Sequence, residues 1–176
     1  MPFKSEQQLF EQAIASPSLR NLVGAMRYPT YGYVEPKGFF GIPDLVIANV
    51  DYKNGKAKLI RSFAFEMKLS NWKRAITQAY RYRAFVNLSF VVIDRSFLKP
   101  ALENIGNFAK SNIGLISIDQ SGFLNLHNTP KFEKPYCYEL DVKFQKMILE
   151  EKKGNVLCSP DLVVCRSTAG LSDKPI

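Results

Sequence analysis

The chain has 176 residues, 46% hydrophobic and 23% charged, a balance that fits one soluble globular domain over residues 1–176 and excludes a disordered or fibrous class. Lysine and arginine number 24 against 16 acids, giving a net charge of +8. That excess favours a polyanionic partner, nucleic acid before membrane, since no segment is amphipathic, basic and rich in Leu or Trp together.

At the N-terminus, MPFKSEQQLF has no apolar signal-peptide core, and nowhere does an apolar run approach membrane-spanning length. A cytoplasmic protein with no membrane partner is expected. SEQQLFEQAIA then reads as a helix, with Ser5 and Gln8 at capping-box spacing and Pro17 just beyond its end. Leu9, Phe10, Ala13 and Ile14 share one face, and Glu6 falls within that same stripe.

Tyr28–Phe40 is aromatic and punctuated by Gly and Pro, a loop with a short strand around Tyr31–Glu35. Asp44–Val50 reads as a strand buried on both faces, and the Asn54-Gly55 turn signal returns Lys56–Lys68 as its antiparallel partner. Ser70 is placed to cap a long amphipathic helix, Asn71–Val86. A strand, Leu88–Asp94, and a helix, Leu98–Lys110, follow. The stretches IGLISID and GFLNLHN pair around a turn at Gln120–Gly122, and Tyr138–Lys153 forms a last helix stopped by Gly154. Cys137, Cys158 and Cys165 contain no Cys-x-x-Cys pair and His127 is the only histidine, so reduced thiols are expected and no zinc site. The order implies an α/β fold with a mixed sheet.

Chemistry concentrates in RSFAFEMKLS. Along this strand Ala64, Glu66 and Lys68 point one way, and Phe63, Phe65 and Met67 the other. A Glu and a Lys ending an apolar strand must be paired, metal-bound or at a solvent edge, and an edge salt bridge is one such outcome. Asp44, which opens the preceding hairpin strand, offers another. With Glu66 and the backbone carbonyl of Met67 it makes a hard-oxygen ligand set suited to Mg²⁺. Lys68 beside that ion orients or activates water and stabilises phosphoryl charge.

Pro43-Asp44, then Glu66-Met67-Lys68 after a gap of 21 residues, resembles the signature of the PD-(D/E)xK nuclease superfamily. The element order is similar to that superfamily's restriction endonuclease-like αβββαβ core, here about residues 5–94, with α+β additions over 95–176. Gln78-Ala79-Tyr80-Arg81-Tyr82 is similar to the Q-h-x-x-Y motif of RecB-like nucleases. The resemblance implies a nuclease using Mg²⁺, with Mn²⁺ as a substitute, and cutting phosphodiester bonds of DNA in preference to RNA. Asp44, Glu66, Lys68 and Gln78 are then catalytic, and Asp44, Glu66 and the Met67 carbonyl hold metal. The family often adds an acid from the first helix, for which Glu6 is the choice, although a carboxylate there also suits the helix dipole. Lys37, Lys73, Arg74, Arg81 and Tyr82 are the expected nucleic-acid contacts; Tyr80 reads as half-buried packing. Lys37, Gly38 and Gly41 make either a close-approach loop over substrate or a simple turn.

No cysteine precedes Asp44, unlike in the iron–sulfur RecB-like nucleases, so no cluster is expected. No helicase motif is present. A motor or specificity subunit would be a separate chain, and a homodimer is compatible with the sequence. The alternatives are a nuclease-like module that binds nucleic acid or a partner without cutting, and an assembly protein in which Glu66–Lys68 is an ion bridge. A second Pro-Asp-Leu-Val, at 160–163, has no Glu-x-Lys after it. Its Asp161 reads as the start of a short terminal strand, or as a turn set by Pro160.

Overall fold

The computed structural model describes residues 1–25, 27–151 and 164–166; Gly154, Asp161 and Cys158 lie outside them. Ser5 caps α1 (Glu6–Ala15) by accepting the Gln8 amide at 3.2 Å, while Gln8 Oε1 reaches back to the Lys4 amide at 2.9 Å. Pro17 does more than follow α1. It opens a second helix, α2 (Pro17–Leu22), at a position where a missing N–H has no intrahelical partner to lose.

Three antiparallel strands come next: β1 (Thr30–Val34), β2 (Leu45–Lys53) and β3 (Lys56–Lys68). The β2–β3 turn uses Asn54 and Gly55 at φ 53° and 74°, the left-handed pair that matches strand twist. Leu45 to Val50 are all buried, as their unbroken apolar run requires.

The helix α3 (Trp72–Tyr82) carries the chain to β4 (Leu88–Asp94), which lies parallel to β3. This helix is shorter than its periodicity suggests. Asn71 supplies the cap in place of Ser70, its side chain accepting the Arg74 amide at 3.2 Å. Beyond Tyr82 the carbonyls of Arg83 and Ala84 accept the amides of Tyr136 and Cys137, each at 3.2 Å, so a tertiary contact replaces further helix.

The single helix expected over Leu98–Lys110 is two, α4 (Lys99–Glu103) and α5 (Ile105–Ser111). They are broken at Asn104, whose side-chain amide turns back to the Pro100 carbonyl at 2.9 Å. β5 (Gly114–Ile118) continues the parallel side of the sheet and β6 (Leu124–Asn128) returns antiparallel. Then come α6 (Tyr138–Glu151) and β7 (Val164–Arg166), which pairs parallel with β1.

The sheet order is β6-β5-β4-β3-β2-β1-β7, a mixed sheet with β3 at its centre. One face packs Ala64, Val46 and Val91 under α3, α5 and α6. The other packs Phe63, Phe65 and Met67 under α1 and α2. Glu66 and Lys68 therefore end a central strand and not an edge strand. Among the described residues no helix is long and apolar enough to cross a membrane.

Candidate active site

The β2–β3 register pairs Leu45 with Phe65, so one step further along both strands sets Asp44 opposite Glu66. Asp44 precedes β2, and its Oδ2 accepts the Met67 amide at 2.6 Å, which ties the loop before β2 to the end of β3. Burial, and then the charge of Glu66, raise the Asp44 carboxyl to about 6; the Met67 hydrogen bond and Lys68 offset this only in part.

Glu66 is only 1% exposed. One of its oxygens, Oε1, lies 3.0 Å from Lys68 Nζ. The same ammonium lies 3.1 Å from the Met67 carbonyl and 3.1 Å from Oε2 of Glu6. Burial pulls the Lys68 pKa down, but hydrogen bonding and charge from Glu66, with Asp44 and Glu6, outweigh it and the net direction is up. Lys68 is thus a fixed positive charge in this arrangement. Glu6 meets the cluster through Lys68 from a half-exposed position on α1: the apolar stripe turns it to the end of the sheet and not into the core.

The other Glu66 oxygen, Oε2, receives the hydroxyl of Tyr82 at 2.5 Å. The Ile42 carbonyl is also within 3.0 Å of that hydroxyl. A phenol has one proton, and the carboxylate is the stronger acceptor. Burial, then Glu66, push the Tyr82 pKa far up, so Tyr82 is a permanent donor that orients Glu66. Tyr82 is 1% exposed, which corrects its expected role as a nucleic-acid contact. The signal was in the sequence: Ala75, Ala79 and Tyr82 follow buried-face spacing, and a buried tyrosine hydroxyl needs a partner. Gly41, at φ 99°, lets the loop pass this ring, since a Cβ there would fall 2.9 Å from Tyr82 Cε1. The close approach at Gly41 is thus to Tyr82, whereas the sequence suggests one over substrate.

A cavity of about 450 Å³ opens beside the cluster, lined by Glu6, Glu35, Lys37, Asp44 and Met67 among others. Lys37 is thus brought to the site, and Glu35, which sequence reasoning passed over, joins it. Gln78 Oε1 is buried with no hydrogen-bond partner among the described residues. Lys73, Arg74 and Arg81 are exposed along α3. Arg81 lies over the Phe40 ring at 5.6 Å and Lys73 over Trp72 at 5.7 Å. Tyr80, expected as half-buried packing, is 48% exposed and stacks on Tyr136 at 6.1 Å.

Among the described residues no three His, Cys, Asp or Glu side chains stand close enough to hold a metal by themselves. What the site offers is two carboxylates and a carbonyl, the donor number that leaves room for waters. Comparison of the chain with protein-family models, curated proteins and solved structures gave no match, so the chemistry of this site is read from its own residues.

Proposed function

We propose that the chain is a Mg²⁺-dependent nuclease of PD-(D/E)xK type that hydrolyses phosphodiester bonds, DNA in preference to RNA. The observation that carries this reading is the convergence of Asp44, Glu66 and Lys68 at the end of β3, where Asp44 accepts the Met67 amide and the Lys68 ammonium meets Glu66 and the Met67 carbonyl. The order α1, β1, β2, β3, α3, β4 supports a restriction endonuclease-like αβββαβ core, with α2 as an insertion.

The donor set fits a small divalent cation. All donors are hard oxygens, and the carboxylates of Asp44 and Glu66 lie close enough for the charge of Glu66 to add to burial in raising the Asp44 carboxyl. Asp44, Glu66 and the Met67 carbonyl would hold Mg²⁺, and Mn²⁺ can take the same oxygens. Such an ion supplies a bound water of lowered pKa and charge at the phosphoryl oxygen. Lys68, fixed in its protonated form, offers a second positive charge where negative charge grows in the transition state. Tyr82 holds Glu66 in its rotamer. Lys37 at the cavity wall and Lys73, Arg74 and Arg81 on α3 take phosphates, while Gln78 brings an unused acceptor for substrate or water.

The test is cleavage of duplex, single-stranded and branched DNA, and of RNA, with Mg²⁺ or Mn²⁺. Asp44→Ala, Glu66→Ala and Lys68→Ala are expected each to abolish cutting. A wild-type protein that cuts nothing, or cutting that survives Glu66→Ala and Lys68→Ala, ends this reading. Calorimetric titration with Mg²⁺ separates it from a non-catalytic module, which would bind no metal.

A further inference from the structure

The end of α3 and the segment after it carry a feature that hydrolysis alone does not explain. Phe40, Tyr80 and Tyr136 are 52%, 48% and 53% exposed. Phe40 and Tyr136 wall two adjoining hollows of about 460 and 450 Å³, and Tyr80 lines the first of them. Apolar area of this kind is usually kept for an occupant.

The rings are held in place. Tyr80 and Tyr136 stack with an interplanar angle of 29°, the Arg83 guanidinium covers Tyr80 at 5.4 Å, and Arg81 covers Phe40. The amides of Tyr136 and Cys137 are tied to the carbonyls of Arg83 and Ala84. Among the described residues no carboxylate lines either hollow. Of the nearby acids, Glu133 pairs with Arg83, and Glu139 accepts from the Cys137 thiol at 3.4 Å.

We propose that this groove is a stacking site for unpaired bases of single-stranded nucleic acid. The inference deepens the nuclease reading and rests on it for one step only: that the strand held here is the one cut at Asp44 and Glu66. Planar aromatic faces beside planar guanidinium groups bind any base by stacking, and bases are free to stack only when unpaired. A duplex presents phosphates and base edges, which such faces cannot read. A proline-rich peptide also suits an aromatic groove, but the chain's charge of +8 and the exposed Arg81 favour a polyanion.

Position supports the link to the site. Phe40 lies four residue steps before Asp44, at most about 14 Å of extended chain. Between them Ile42 meets Tyr82, whose hydroxyl holds Glu66. A strand stacked on Phe40 therefore has its backbone within reach of the carboxylates, so the substrate class is nucleic acid with unpaired nucleotides next to the cut phosphate.

The experiment is fluorescence anisotropy in EDTA, with a labelled oligothymidylate and a duplex of equal length. Wild type is expected to bind the single strand more tightly. Phe40→Ala and Tyr136→Ala should each weaken single-strand binding by about five-fold to about 100-fold, with duplex binding unchanged. Phe40→Trp should restore it. Unchanged single-strand binding in both alanine variants overturns the proposal, as does a wild type that prefers duplex. So does a wild type that ignores the oligonucleotide and takes a proline-rich peptide in this groove. Because metal is absent, a failure of cleavage leaves this result standing, and a failure of stacking leaves the cleavage test untouched.

Discussion

Glu66 and Asp94 are both buried carboxylates near the ends of neighbouring parallel strands, β3 and β4, and both are 1% exposed. Their partners differ in kind. Asp94 accepts two backbone amides, from Phe3 at 2.7 Å and Ser96 at 2.8 Å, so it ties the N-terminal segment to the sheet and starts the turn after β4. Among the described residues Glu66 accepts no backbone amide; it faces an ammonium, a tyrosine hydroxyl and the carboxylate of Asp44. Asp94, with both oxygens given to main-chain amides, is committed to the fold, whereas Glu66, held by side chains, can exchange a partner for a ligand. The contrast is sharpest in a pair of variants. Glu66→Gln should lower cleavage at least about 100-fold in a protein that still unfolds cooperatively. Asp94→Ala should lower stability by about 1–3 kcal/mol and leave the rate per folded molecule unchanged. Single-turnover kinetics beside urea melts reads both, and equal loss of cleavage in the two variants would erase the distinction.

Tyr82 narrows the comparison to orientation. The Glu66 carboxylate is aimed by one hydroxyl, and Tyr82→Phe removes it while keeping the ring that packs against Phe85. Partners of this kind typically account for 10- to 100-fold in metal affinity or activity, so a loss of about that size is expected in cleavage. It should show in Mg²⁺ affinity by calorimetry as well. A Tyr82→Phe variant with wild-type affinity and rate would mean that Lys68 holds Glu66 without the hydroxyl.

Much of this architecture could be read in advance because it depends on local chemistry. Asn54-Gly55 dictates its own hairpin, and the alternation of Phe63, Phe65 and Met67 against Ala64 and Glu66 fixes which face each takes. The turn alone would set Asp44 opposite Phe65; a one-residue register shift between Asn49 and Val50, which no sequence signal announced, brings Asp44 opposite Glu66. What else escaped depends on partners far away in the chain. The early end of α3 is set by amides of Tyr136 and Cys137, and the break at Asn104 by a side chain turning back on its own helix. Asp94 gave no signal, since its partner Phe3 lies 91 residues away. Tyr82 was misassigned for a different reason. A motif that resembled a substrate-binding one drew attention from the spacing, which places the residue in the core.

Asp44 supplies the last and smaller effect, through its pH dependence without metal. Its carboxyl is raised from 3.8 to about 6, so between those values the folded protein binds more proton than the unfolded chain. Stability from this group is therefore present below about pH 4 and is lost as pH rises through about 6. Asp44 is partly solvent-exposed, which screens the effect to on the order of 1–2 kcal/mol. Asp44→Asn keeps an oxygen for the Met67 amide and removes the charge that repels Glu66. In EDTA this variant should exceed wild type in stability at pH 7–8, with the gap closing toward pH 4 in urea melts. A gap that is constant with pH would show that neither burial nor Glu66 raises the Asp44 carboxyl in the folded protein.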